Sequence, residues 1–115
     1  MYSPELLDHF EHPRNAGELP GAEATVRLEN PACGDVLELA ANVADELIDD
    51  IRFRAQGCVA AMACASAITE LAKGRSVQEA RAIAREDVAR AVGGLPPASG
   101  HAAQLAVDAL RQLLR

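Results

Sequence analysis

Hydrophobic and polar positions change period twice along this chain. Ser3-Pro4-Glu5 supplies a capping hydroxyl, a proline suited to a first helical turn and an acid near the positive end of the helix dipole. A helix is predicted from there to Phe10 or Glu11, stopping before Pro13. The stretch 15–21, with Gly17, Pro20 and Gly21, reads as loop. Alternation follows. Val26 and Leu28 share a face of a strand over Thr25–Glu29. Leu37, Leu39, Ala41 and Val43 share a face of a second strand. Ile51, Phe53 and Ala55 share a face of a third, with Arg52 and Arg54 opposite. Asp45 and Glu46 mark a hairpin between strands two and three. The pattern predicts an antiparallel three-stranded meander with one face covered and the other wet.

After Gly57 the period becomes helical. Val59 to Lys73 is rich in alanine and apolar almost all round until Thr69-Glu70, and Gly74 is a suitable C-terminal cap. This predicts a central buried helix. Ser76 and Glu79 form a capping box for a helix over 76–84, and a short helical turn is predicted over 86–92. Gly93-Gly94-Leu95-Pro96-Pro97 breaks it. The last helix begins near Gly100 or His101. It carries a buried stripe of Ala103, Ala106, Val107, Leu110, Leu113 and Leu114, while Gln104, Asp108, Arg111 and Gln112 face water. No repeat or linker divides the chain, and one α+β domain over 1–115 is expected.

Composition narrows the picture. The 115 residues are half apolar, yet include only one Tyr, two Phe and no Trp. The core must be aliphatic and alanine-rich, with closely packed helices. A net charge of −6 argues against nucleic-acid binding, which needs basic patches. No stretch approaches the roughly 18 apolar residues of a membrane span, and the charged first 14 residues do not resemble a signal peptide. A cytoplasmic, reducing setting is expected. The three cysteines, Cys33, Cys58 and Cys64, are too few and too odd in number for a disulfide framework. They are then either small buried core residues or ligands and nucleophiles.

Four positions stand out as candidate chemistry. Cys33 and Asp35 lie in the loop Pro31-Ala32-Cys33-Gly34-Asp35, where Gly34 allows both side chains to turn toward one spot. Cys58 lies where the third strand meets the central helix, and His101 at the start of the last helix. All four fall at ends of elements, where sites concentrate, and a helix amino-terminus favours anionic ligands such as thiolates. Two thiolates, an imidazole and a carboxylate form a plausible tetrahedral set for zinc or iron. The spacing alone leaves blander alternatives open: core cysteines, a turn-forming Asp35 and a helix-capping His101. Cys64, about 120° round the helix from Cys58, is expected to be core. His9 and His12 are expected to be solvated.

Several segments in order then resemble one family. Tyr2-Ser3-Pro4-Glu5-Leu6-Leu7-Asp8-His9-Phe10, Pro13-Arg14-Asn15 and Gly17 are similar to the N-terminus of the U-type iron–sulfur cluster assembly scaffolds, which include the NifU N-terminal domain. Ala32-Cys33-Gly34-Asp35 resembles the family's first ligand motif. Phe53-Arg54-Ala55-Gln56-Gly57-Cys58 resembles the second, continued by Thr69-Glu70 and Lys73-Gly74. Leu95-Pro96-Pro97 with His101 resembles the third. The resemblance implies an α+β fold with a three-stranded antiparallel sheet and helices packed on one side. It implies a non-enzymatic scaffold on which a transient [2Fe–2S] cluster forms, with sulfur from a cysteine desulfurase, for transfer to recipient apo iron–sulfur proteins. Cys33, Asp35, Cys58 and His101 would be the ligands, and Cys58 and Cys33 the persulfide candidates.

Two departures bear on that expectation. In the family a third cysteine follows the His, whereas here Ala102 follows His101. The surviving donors could hold a [2Fe–2S] cluster, a single iron or a zinc ion, because His can replace Cys on iron. A degenerate member that modulates a desulfurase, or a persulfide relay, is therefore an alternative. Leu95-Pro96-Pro97-Ala98-Ser99 also lacks the Lys that some members present to a chaperone, which speaks against chaperone handover.

Overall fold

The computed structural model describes residues 2–31 and 33–115; Ala32, the first residue of the resemblance motif around Cys33, lies outside the described residues. The order of elements is α1 (Pro4–Glu11), β1 (Ala24–Asn30), β2 (Asp35–Ala44), β3 (Leu47–Gln56), α2 (Val59–Ala72), α3 (Val77–Arg81), α4 (Arg85–Ala91) and α5 (Gly100–Leu113). A 3-10 turn at Pro97–Ser99 leads into α5.

The sheet is the expected antiparallel meander, in the order β1-β2-β3. Its register sets Val26 beside Leu39 and Leu39 beside Phe53, and sets Leu28 beside Leu37 and Leu37 beside Ala55. The alternating apolar residues thus line up on one face, which α2 and α5 cover. On the other face Arg27, Glu38 and Arg54 stand in a row across the three strands. The β2–β3 hairpin turns on Asp45 and Glu46, both at positive φ (53° and 66°), the backbone of a two-residue turn matched to strand twist. Beyond the turn the third strand starts earlier than the alternation predicts. A bulge between Asn42 and Val43 pairs Asn42 with Asp50 but Val43 with Ile48. The extra residue changes the phase of the strand, so Ile48 is fully buried although it stands three places from Ile51.

The central helix α2 is alanine-rich because it is packed on several sides. Residues from Ala60 to Thr69 are buried, Met62 only partly, and α1, α5 and β3 all pack against it. Small side chains let these elements approach closely. Ser76 and Glu79 form the predicted capping box, although α3 is shorter than expected. Every residue of the predicted stripe on α5 is buried. Ser3 caps α1 by accepting from the Leu6 amide at 3.0 Å, and its hydroxyl donates to the Val92 carbonyl, tying the N-terminus to the end of α4.

One expectation is overturned. His12 is exposed, but His9 is buried. It stands one helical turn from Leu6, on the face of α1 that meets α2, and its Nδ1 lies 2.8 Å from the Ser66 hydroxyl. The Arg14 amide donates to the same hydroxyl at 2.9 Å. The buried Thr69 hydroxyl donates to the Ser66 and Arg14 carbonyls, and Asn15 donates to Thr69. The polar residues of an otherwise apolar helix are therefore the anchor for α1 and the loop after it.

Candidate metal centre

Three separate elements bring the candidate donors to one end of the sheet. Asp35 is the first residue of β2 and is fully buried. Its Oδ1 accepts from the Cys58 amide at 3.0 Å. Its Oδ2 lies 3.3 Å from His101 Nε2 and 3.8 Å from Cys58 Sγ. Cys58 is the N-cap of α2, its Sγ accepting from the Ala61 amide at 3.3 Å, and it stands 4.0 Å from His101 Nε2. His101 projects from the first turn of α5 and is partly exposed. Cys33, exposed in the β1–β2 loop, offers its sulfur so that ligand atoms of Cys33, Asp35 and His101 all lie within 4.8 Å of one another.

Two glycines permit this geometry. Gly34 takes φ +71°, as the sequence predicts for the bend between Cys33 and Asp35. Gly57 is the feature that periodicity and spacing did not reveal. At φ +139° its position leaves no room for a side chain, because a Cβ there would fall 2.1 Å from Asp35 Oδ1. The missing side chain lets the carboxylate reach the Cys58 amide. The signal available in the sequence was the Gly directly before Cys58.

Cys64 is separate from this group. It is fully buried in α2, and burial, with a smaller contribution from Cys58, pushes its thiol up to about 12. It is a core thiol, as the helical angle predicts. Ala102, next to His101, is buried and brings no donor atom.

The chain, a meander sheet with helices over one face, is similar to known proteins along its whole length. The family model described as the NifU-like N-terminal domain matches residues 1–115. The chain belongs to this family. Among its relatives, the iron–sulfur cluster assembly scaffold protein IscU 1 of Archaeoglobus fulgidus is 45% identical over 114 residues, covering 99% of this chain and 74% of the relative. IscU of Escherichia coli K12 is 42% identical over 114 residues, covering 96% and 88%. In fold, the chain superposes with a TM-score of 0.84 on a putative iron–sulfur cluster assembly scaffold protein for the SUF system from Fervidobacterium islandicum. That structure is 19% identical, and the match covers 99% of this chain and 96% of that one. No helix among the described residues is long and apolar enough to cross a membrane.

Proposed function

We propose that this chain is a scaffold for iron–sulfur cluster assembly whose cargo, a transient [2Fe–2S] cluster, is held by Cys33, Asp35, Cys58 and His101. The observation that carries the reading is the convergence of these donors, with Asp35 Oδ2 and His101 Nε2 3.3 Å apart and Cys58 Sγ 3.8 Å and 4.0 Å from them. The similarity, over nearly all of this chain, to proteins named as scaffolds supports it. Thiolates hold iron firmly, while a carboxylate and an imidazole are harder, more exchangeable partners, a suitable balance for cargo that must leave. Sulfur would come from a cysteine desulfurase: the thiolate of Cys58 or Cys33 attacks the outer sulfur of the donor's persulfide, the donor's own S–S bond breaks and its cysteine leaves as thiolate, and an external two-electron reductant converts the transferred sulfur to the sulfide of the cluster. The cluster would pass to recipient apo proteins in the cytoplasm, and the chain would catalyse no turnover of its own.

The test is anaerobic purification without chelator, followed by measurement of iron, zinc and acid-labile sulfide per chain beside Cys33→Ser and Cys58→Ser. Iron and sulfide together, lost in both variants, are expected. Zinc alone that iron and sulfide cannot displace would overturn the scaffold reading. That outcome has a structural basis of its own. Donors at zinc bond lengths of about 2.0–2.3 Å in a tetrahedron stand roughly 3.3–3.7 Å apart, and Asp35, Cys58 and His101 are already close to that spacing. A single zinc or iron, in a protein that modulates a desulfurase, is therefore the second reading.

A further inference from the structure

The two edges of the sheet differ. Along β3 the outer edge is covered. The Phe53 amide donates to the Asn15 carbonyl at 3.0 Å and its carbonyl accepts from the Gly17 amide at 2.9 Å, and Ile48 is bonded in the same way to Arg75 and Gly74. Because Phe53 turns these groups outward, its neighbour Leu39 turns its own toward β1, where Val26 stands opposite. Val26 and Leu28 therefore bond to β2, while Thr25, Arg27 and Glu29 point their amides and carbonyls away from the sheet. Among the described residues no backbone hydrogen bond reaches them on that side. Such an edge is a template for another strand unless something blocks it. The side chains of Thr25, Arg27 and Glu29 are exposed, and Val26 and Leu28, on the strand's other face, are only half-buried.

We propose that the bare edge of β1 is a docking surface for a second copy of this chain, paired antiparallel about a two-fold axis at Leu28, so that two three-stranded sheets join into one. Arg27 then faces Glu29 of the second copy and exchanges both main-chain bonds with it, and Glu29 does the same with Arg27 of the second copy. Leu28 faces Leu28 of the second copy in a non-hydrogen-bonded pair, where side chains come closest. Moving the axis one residue either way sets Arg27 on Arg27 or Glu29 on Glu29, and like charges directly opposite destabilise a strand pair. The alternating charges that would otherwise guard the edge therefore select one register. Within one strand Arg27 already holds Glu29 at 2.5 Å, so the axis creates a cluster of alternating sign. A groove of about 370 Å³ between Glu29–Pro31 and the α5 residues Gln104, Leu105 and Asp108 lies beside this edge, and the axis sets Val26 of the second copy opposite Asn30 at its wall. One added strand pair is a small interface, so association is reversible and concentration-dependent. It does not depend on what the metal centre holds.

The experiment uses the full chain with chelator and reductant, so that neither a metal nor a disulfide at Cys33 joins two copies. Sedimentation equilibrium from micromolar to millimolar protein should show a reversible monomer–dimer equilibrium. Amide hydrogen exchange over the same range should slow at Arg27 and Glu29 as concentration rises, while Val26 and Leu28 are protected throughout. Arg27→Glu and Glu29→Arg should each weaken the dimer roughly tenfold, because each sets like charges opposite one another in both pairs. Mixed in equal amounts, the two variants should regain association, since every position 27 then meets an opposite charge at position 29. A chain that stays monomeric at millimolar concentration overturns the proposal. So does a dimer without protection at Arg27 and Glu29, a dimer that both variants leave unchanged, or a mixture of folded variants that does not regain association. The exchange profile of the unsubstituted chain decides the matter even if a variant fails to fold.

Discussion

Asp35 uses its two oxygens differently: one is fixed on the Cys58 amide, the other faces His101. Gly57 makes this possible, and its substitution is a sharp test. Gly57→Ala meets both backbone strain at φ +139° and a clash with Asp35, whereas Gly21→Ala, at φ +72° in open space, meets strain alone. Strain costs about 1–3 kcal/mol, so denaturant unfolding should show a loss of that order for Gly21→Ala and a larger one for Gly57→Ala. Only Gly57→Ala should also weaken metal uptake. His9 gives a second residue-scale expectation. Burial, reinforced by Arg14, lowers its pKa. The unfolded chain then binds the proton more readily, so His9 contributes stability that is present above its unfolded value near 6.5 and is lost as pH falls through the lower folded value. The thermal midpoint should drop on acidification below about pH 6.5, and a His9→Gln variant should show a shallower drop.

Among the elements, the β2–β3 hairpin carries the most readily improved backbone. Asp45 and Glu46 both occupy positive φ, which glycine and asparagine adopt at less cost than Glu. The double substitution Asp45→Asn, Glu46→Gly should raise unfolding stability by about 0.5–1 kcal/mol, measured by urea titration, without changing the site at the other end of the sheet. Removing the α3 cap with Ser76→Ala should cost about 1 kcal/mol by the same measurement. The elements themselves were largely legible. Strand alternation, the capping box and the buried stripe of α5 follow from local period and end chemistry. The start of β3 was not legible, because a bulge breaks the alternation between Ile48 and Ile51. His9 was misread for a related reason. Its burial depends on Ser66, a residue on another helix, and no local pattern announces that partner.

At the scale of the whole molecule, the fold sorts three chemically identical side chains into three environments. Cys33 is exposed, Cys58 is half-buried against Asp35, and Cys64 is sealed in the core. Alkylation of the metal-free protein at neutral pH, followed by mass spectrometry, should modify Cys33 first, Cys58 more slowly and Cys64 only after unfolding. The four candidate donors could be named from the sequence because they fall at ends of elements and in motifs resembling one family. Their separations could not, since those depend on how β2, α2 and α5 meet and on the space left at Gly57. The donors also belong to segments far apart along the chain, a loop before β2, the cap of α2 and the first turn of α5. Under the proposed function, thermodynamic linkage follows. Cargo that needs all three segments in place favours the assembled state by RT ln(1 + [L]/Kd). The relation is reciprocal: a recipient that draws any one segment aside weakens the hold of the other two, and so lowers the work of release without touching the metal.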